Sequence, residues 1–234
     1  MPHSTPTDSF PVKSGLWSGC ILASIGHAIW VARAPFMSYL QSWDGPNYSF
    51  QNGQGSRGTV AFGDGHETCV AVFYLNDSPR NPIRRKANDP TFGMKWLREI
   101  PASLKPLADV AAQHVLQDVG DRTLPVITAA FWSDPDDSRF AAGEPWPDVL
   151  ANGATLLDYQ LLPVELSIAG WAEEYEWSGG ETVLLQEIFA RRIATWGPMT
   201  LSGSEAEFLE SYATSASGIH ECRQSLAEIG IVFP

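Results

Sequence analysis

The sequence is short of basic residues and of cysteine, and each shortage excludes a class of protein. Only 15 Lys and Arg stand against 27 Asp and Glu, which leaves a formal net charge of −12. Nucleic-acid binding needs Lys and Arg to neutralise phosphates, so no nucleic-acid partner is predicted. The three cysteines, Cys20, Cys69 and Cys222, lie far apart and form no C-x-x-C motif. A disulfide framework is therefore not expected, and a reducing, cytoplasmic location is predicted.

Long uninterrupted apolar runs, internal repeats and low-complexity tracts are also missing. The most apolar stretch, residues 15–35, is interrupted by Ser18, Ser24 and His27. Because a membrane-spanning helix needs about 20 predominantly apolar residues, this stretch predicts a buried helix and no membrane partner. Residues 1–14 are polar and contain proline, and we expect them to form a loose N-terminal lead.

Strand and turn signals agree for three consecutive elements near residues 48–75. Three segments there are rich in β-branched and aromatic side chains, and glycine-rich segments separate them. Asn52-Gly53 and Asp64-Gly65 tolerate the positive φ of tight hairpin turns. The pattern predicts an antiparallel meander whose last strand, residues 69–75, lacks polar alternation and is therefore central and buried on both faces.

Helical patterns fill most of the remaining sequence. Apolar spacing predicts helical structure over residues 94–117, split by Pro101 and Pro106. Capping-box signatures, a Ser followed three residues later by Glu, begin at Ser178 and Ser204. Residues 164–177 fit either a strand or a helix.

With a further strand near residues 124–132, these elements predict an α+β fold. We expect residues 1–234 to form a single domain. In that domain a mainly antiparallel sheet is packed with a buried N-terminal helix and a helical C-terminal half.

The acidic excess is confined to the C-terminal part of the chain. Residues 1–130 hold 11 basic and 10 acidic side chains, a sum of +1, whereas residues 131–234 hold 4 and 17, a sum of −13. Negative charges concentrated in this way repel one another and favour binding to a basic protein. An acidic surface can also serve solubility alone. The first hypothesis is thus a non-enzymatic intracellular binding protein of the inhibitor or immunity type. Its predicted partner-binding residues are Asp136, Asp137, Glu173, Glu174 and Glu176.

A cysteine-nucleophile hydrolase is the alternative hypothesis. Cys20 is predicted near the start of a helix, where the thiolate is favoured, and His66 at a hairpin turn is the candidate base. Asn76 or Asp64 would orient that base, but the local signatures of cysteine peptidases are missing. A further alternative is a subunit of a larger assembly, with exposed Trp146, Trp171 and Trp177 as interface anchors.

Metal and phosphate sites have weaker support. His66 with Cys69 and His220 with Cys222 would make a Cys2His2 set, but residues i and i+3 of a strand, or i and i+2 of a helix, point apart. The glycines between Asn52 and Thr59 lack a following GK[ST] motif. No metal and no cofactor is predicted. The one basic cluster, at Arg80, Arg84, Arg85 and Lys86, fits a phosphate or acidic ligand but is more typical of a charged surface loop.

Overall fold

The structure is a computed structural model, and it describes residues 10–13, 15–81, 83–84, 91–119, 121–133, 138–195 and 197–234. Within these ranges the α-helices are α1 (Leu16–Val31), α2 (Lys105–Gln113), α3 (Trp146–Ala151), α4 (Val164–Glu174), α5 (Gly179–Ala194), α6 (Gly203–Tyr212) and α7 (Ala216–Glu228). The strands are β1 (Gln41–Asp44), β2 (Asn47–Gln51), β3 (Arg57–Phe62), β4 (Cys69–Tyr74), β5 (Leu116–Val119), β6 (Arg122–Pro125), β7 (Ala129–Ser133), β8 (Met199–Thr200) and β9 (Ile231–Val232). Short 3-10 helices span Pro35–Leu40, Asp64–His66, Phe92–Leu97, Ala102–Leu104 and Ala154–Leu157. The predicted α+β class, with its mainly antiparallel sheet and helical C-terminal half, is confirmed.

The chain divides into two compact units. The sheet unit comprises residues 1–14 and 46–157, and the helical unit comprises residues 15–45 and 158–234. That residues 1–234 form one domain stays a prediction.

In the sheet unit, an antiparallel meander joins β2, β3 and β4, and β7 pairs with the other edge of β4. Every residue of β4 is buried. Val70 and Val72 lie in one apolar cluster with residues of α2, whereas the Phe73 ring lies 5.6 Å from that of Phe131. The predicted central strand, covered on both faces, is therefore confirmed.

Two predicted boundaries in this unit are wrong. The helical pattern over residues 94–117 ends at Gln113, and Leu116 and Gln117 instead begin β5. The strand expected near residues 124–132 is two strands, since β6 ends at Pro125 and β7 begins at Ala129. β6 pairs with β5, whereas β7 pairs with β4.

In the helical unit, α1 is the buried centre, as predicted from its nearly continuous apolar sequence. Ile21, Leu22, Ile25 and Ile29 are each at most 2% exposed. They lie in one cluster with apolar residues of α4, α5, α6 and α7. None of the helices in the described ranges is long and apolar enough to cross a bilayer.

Three features of this unit bear on the predicted helices. The ambiguous segment from residue 164 is helical as α4. α5 begins after Ser178 as predicted, but the predicted capping box is wrong there, because the Ser178 hydroxyl donates to the carboxylate of Glu181 and accepts no backbone N–H of the helix. The second capping box lies two residues before the predicted one: Ser202 Oγ accepts from the backbone N–H of Glu205, and the Glu205 carboxylate accepts from the N–H of Ser202.

Candidate functional site

Three of the predicted partner-binding residues gather at the C-terminal end of α4. Glu173 and Glu174 occupy its last turn and Glu176 follows it, and all three are exposed. The partial negative charge at a helix C-terminus disfavours carboxylates there. These residues therefore lie where their charge costs stability. Asp136 and Asp137 lie outside the described residues.

Glu176 also has an unfavourable backbone conformation. Its φ is 52°, in the left-handed region that glycine usually occupies after a helix. The turn is closed by hydrogen bonds from the N–H of Glu176 to the carbonyl of Glu173 and from the N–H of Trp177 to that of Ala172. A glutamate at this position costs about 1 kcal/mol relative to glycine.

The arginines of the helical unit are engaged elsewhere. The unit holds 4 arginines and 13 Asp and Glu, a net charge of −9. Arg191 pairs with Glu205, and Arg223 pairs with Glu210 at 2.6 Å. Arg192 donates to the Ile229 carbonyl at 2.7 Å, and Arg33 lies over the Tyr212 ring. Among the described residues, Glu173, Glu174 and Glu176 have no ion-pair partner.

The exposed face of α4 also presents apolar surface. Leu166 is 57% exposed, and Ala169 and Glu173 follow it at spacings of three and seven residues, which places them on one side of the helix. The predicted exposure of Trp146, Trp171 and Trp177 is wrong, since the first two are buried and Trp177 is half-buried. Trp146 is 4% exposed within the sheet unit and Trp171 is 8% exposed within the helical unit, because large aromatic side chains fill the two cores.

A polar cleft lies elsewhere in the helical unit, among α1, β1 and α7. Its cavity volume is about 10 Å³, which is room for about one water molecule. Ser24 Oγ accepts from Trp43 Nε1 at 2.8 Å and donates to the Cys20 carbonyl at 2.8 Å. The cleft is lined by Ser24, His27, Gln41, Ser42, Trp43, Ser225 and Glu228.

The alternative catalytic residues occupy very different environments. Cys20 is fully buried in the helical unit, on the second turn of α1. His66 lies in the sheet unit, exposed, with φ 62° at the end of the 3-10 turn. Asn76 has structural hydrogen bonds, since its N–H donates to Ser56 Oγ at 3.0 Å and its Oδ1 accepts from the Tyr74 hydroxyl. No feature of these residues favours the hydrolase hypothesis, which stays untested.

The cysteine and histidine pairs are held apart by their elements. Burial raises the pKa of Cys69 to about 11 and that of Cys222 to about 12, so both thiols are neutral at physiological pH. His220 is exposed on α7 whereas Cys222 is buried. Among the described residues, no three His, Cys, Asp or Glu side chains are placed to hold a metal ion.

The glycine-rich loop and the basic cluster are both occupied by protein contacts. Asn52 Oδ1 accepts from the backbone N–H groups of Gln54 and Ser56, which a phosphate would otherwise use. Arg80 pairs with Glu144 at 2.5 Å and Arg84 with Asp77 at 2.5 Å. Arg85 and Lys86 lie outside the described residues.

No protein-family model, no curated protein and no solved structure matches this chain. The sequence did not single out Glu165 and Leu166 of α4 or the residues that line the cleft. For the α4 residues, the signal in the sequence was the helical spacing over residues 164–174. For the cleft, the only signal was a histidine and serines within an apolar helix.

Proposed function

We propose that this chain is a non-enzymatic binding protein, of the inhibitor or immunity type, whose acidic helical unit covers a basic protein partner. The observation that carries the proposal is the end of α4. Glu173, Glu174 and Glu176 are exposed, and the helix dipole disfavours their charge. They have no ion-pair partner among the described residues. A surface that costs stability in the free protein is explained by a partner that supplies the missing cations.

The neighbouring apolar surface supports binding rather than solubility alone. Interfaces combine an apolar anchor with a polar rim, and Leu166, 57% exposed, lies on the same side of α4 as Glu173. An exposed leucine beside these carboxylates would supply the apolar part of such an interface. We therefore place the α4 patch, Glu165, Leu166, Ala169, Glu173, Glu174 and Glu176, at the centre of the proposed contact.

The experiment is capture from an extract of the native host at low salt, using three immobilised proteins. These are the wild type, a triple variant with Glu173, Glu174 and Glu176 changed to Lys, and a control triple variant with Glu67, Asp109 and Asp121 changed to Lys. The control side chains are exposed in the sheet unit, so the change in net charge is identical.

We expect the wild type and the control to retain the same basic protein, released by salt, and the α4 triple variant to lose it. Exposed charges contribute little to stability individually, so all three proteins should be folded. Equal retention by all three proteins would remove the α4 patch from the function.

A further inference from the structure

Two aromatic side chains of the helical unit are exposed on the short 3-10 helix Pro35–Leu40. Phe36 is 71% exposed and Tyr39 is 54% exposed. Residues three apart on a 3-10 helix lie one above the other, so the two rings form one patch. Among the side chains that the structure describes, no other Phe, Tyr or Trp is exposed. Single apolar side chains at a surface are ordinary, whereas adjoining aromatic ones are typical of an interface.

The helix that carries the two rings is held in place by its own sequence and by its neighbours. Pro35 occupies its first turn, where the pyrrolidine ring fixes φ. The N–H of Met37 donates to the Ala34 carbonyl at 2.9 Å. Both α1 and α7 pack against this helix. An aromatic pair on a fixed backbone loses little conformational freedom when it is buried against a partner.

The aromatic patch lies at the same end of the helical unit as the acidic residues of α4. Burial lowers the pKa of His27 to about 4, while the backbone of Ser38 and Met37 beside its ring opposes this shift. The Tyr175 hydroxyl lies 3.5 Å from Nδ1 of the same ring, and Tyr175 directly follows Glu174 in the chain. One partner contributes about 800 Å² to a standard interface, which is enough to include both sets of side chains.

The charge of the surroundings distinguishes between possible occupants of this patch. The helical unit has a net charge of −9. A second copy of the chain brings the same negative charge to the contact, and a membrane surface is also anionic, so both are repelled. Arg33, the closest cation in the sequence, lies over the Tyr212 ring and does not remove this excess. A basic protein is the occupant that the charge favours.

We propose that Phe36 and Tyr39 form a second apolar anchor of the interface with the basic partner, filling an apolar pocket that Lys and Arg side chains of the partner border. This inference rests on the proposed function. Aromatic anchors in desolvated pockets hold a complex together, whereas surrounding charges speed its formation. Loss of the aromatic pair therefore raises the dissociation rate, and loss of the α4 carboxylates lowers the association rate.

The test uses the basic protein that the immobilised wild type retains, purified from the eluate and identified by mass spectrometry. Its binding rates are measured with the wild type, the double variant Phe36→Ala/Tyr39→Ala and the control double variant Val12→Ala/Val110→Ala. The control removes two exposed apolar side chains from the sheet unit. We expect the aromatic double variant to release the protein about tenfold faster, at low and high salt alike, with little change in association rate. The control should match the wild type.

Photo-crosslinking identifies the occupant of the patch directly. With benzoylphenylalanine in place of Phe36, illumination of the mixture should link this chain to the same basic protein. The same residue in place of Val110, which is 42% exposed in the sheet unit, should form no such link. A link only to a second copy of this chain would make the patch a self-association surface and overturn the proposal, and so would the absence of any link.

The outcomes separate this inference from the proposed function. If the aromatic double variant releases the protein at the wild-type rate while the α4 triple variant fails to retain it, the aromatic anchor is wrong and the proposed function stands. If the aromatic double variant fails and the α4 triple variant binds like the wild type, the anchor stands and the α4 patch is removed from the function. If the wild type retains no basic protein, both proposals fall.

Discussion

The backbone N–H of Trp43 donates to Glu228 Oε2 at 2.8 Å, although 185 residues separate the two. The Trp43 indole donates in turn to Ser24 Oγ at 2.8 Å. One residue of β1 is thereby tied to the end of α7 and to the middle of α1. The walls of the cleft are held by these two bonds within the helical unit.

Replacement of Ser24 should destabilise the protein through this bond. Ser24→Ala leaves the indole N–H of Trp43 without its acceptor, and a loss of about 1 to 2 kcal/mol in the free energy of unfolding is expected. Ser42→Ala is the matched control, since Ser42 is exposed. Urea unfolding of the three proteins measures the difference, and equal midpoints would contradict the role assigned to Ser24.

The two candidate capping boxes of α6 make opposite predictions. Ser202→Ala removes the acceptor for the N–H of Glu205 and should lower the free energy of unfolding by about 1 kcal/mol. Ser204→Ala should change it by only a few tenths of a kcal/mol. Thermal unfolding of both variants distinguishes them, and a larger loss for Ser204→Ala would favour the box predicted from sequence.

His27 should make stability depend on pH. Its pKa is about 4 in the folded protein and 6.5 ordinarily, so the unfolded state binds more protons between these values. Titration of His27 leaves the free energy of unfolding unchanged well above pH 6.5 and lowers it by about 3 kcal/mol as the pH drops to 4.

His27→Gln provides the comparison for this prediction. The carboxylates with lowered pKa, Glu181 and Glu205, lose their contributions as the pH falls through and below 4.5 in both proteins. The stability difference between wild type and His27→Gln should therefore change between pH 7 and 4. If it stays constant over that range, His27 does not titrate as described.

Glu176 should show opposite effects on stability and on binding. Glu176→Gly relieves the left-handed backbone at φ 52° and removes a carboxylate from the end of α4, so a gain of about 1 kcal/mol is expected. The same change should slow capture of a basic partner. Glu176→Gln isolates the charge from the backbone effect, and a destabilised Glu176→Gly variant would contradict the conformational cost.

Local patterns predicted the elements but not where distant ones meet. The absence of polar alternation over residues 69–75 predicted a central strand because burial on both faces leaves that signature directly in the sequence. Pro125 marked a strand end that the apolar run of residues 124–132 obscured. A Ser-x-x-Glu pattern begins at both Ser202 and Ser204, so the motif alone could not decide the cap.

The candidate site shows the same division. Glu173, Glu174 and Glu176 were identified from charge counts, because acidic residues concentrate within a short stretch. The cleft depends on His27, Trp43 and Glu228, which are up to 201 residues apart in sequence. Only tertiary packing brings such residues together, and it leaves no periodic pattern in the local sequence from which the contact could be predicted.

The most direct measurement is the association rate of a labelled lysine-rich peptide with the wild type, the α4 triple variant and the sheet-unit control variant, across ionic strength. Steering by an extended field is screened over about 8 Å at 0.15 M, so the wild-type and control rates should fall about tenfold or more between low and high salt. The α4 triple variant should associate slowly with little dependence on salt. Identical rates and salt dependence in the α4 triple variant and the control would contradict the account.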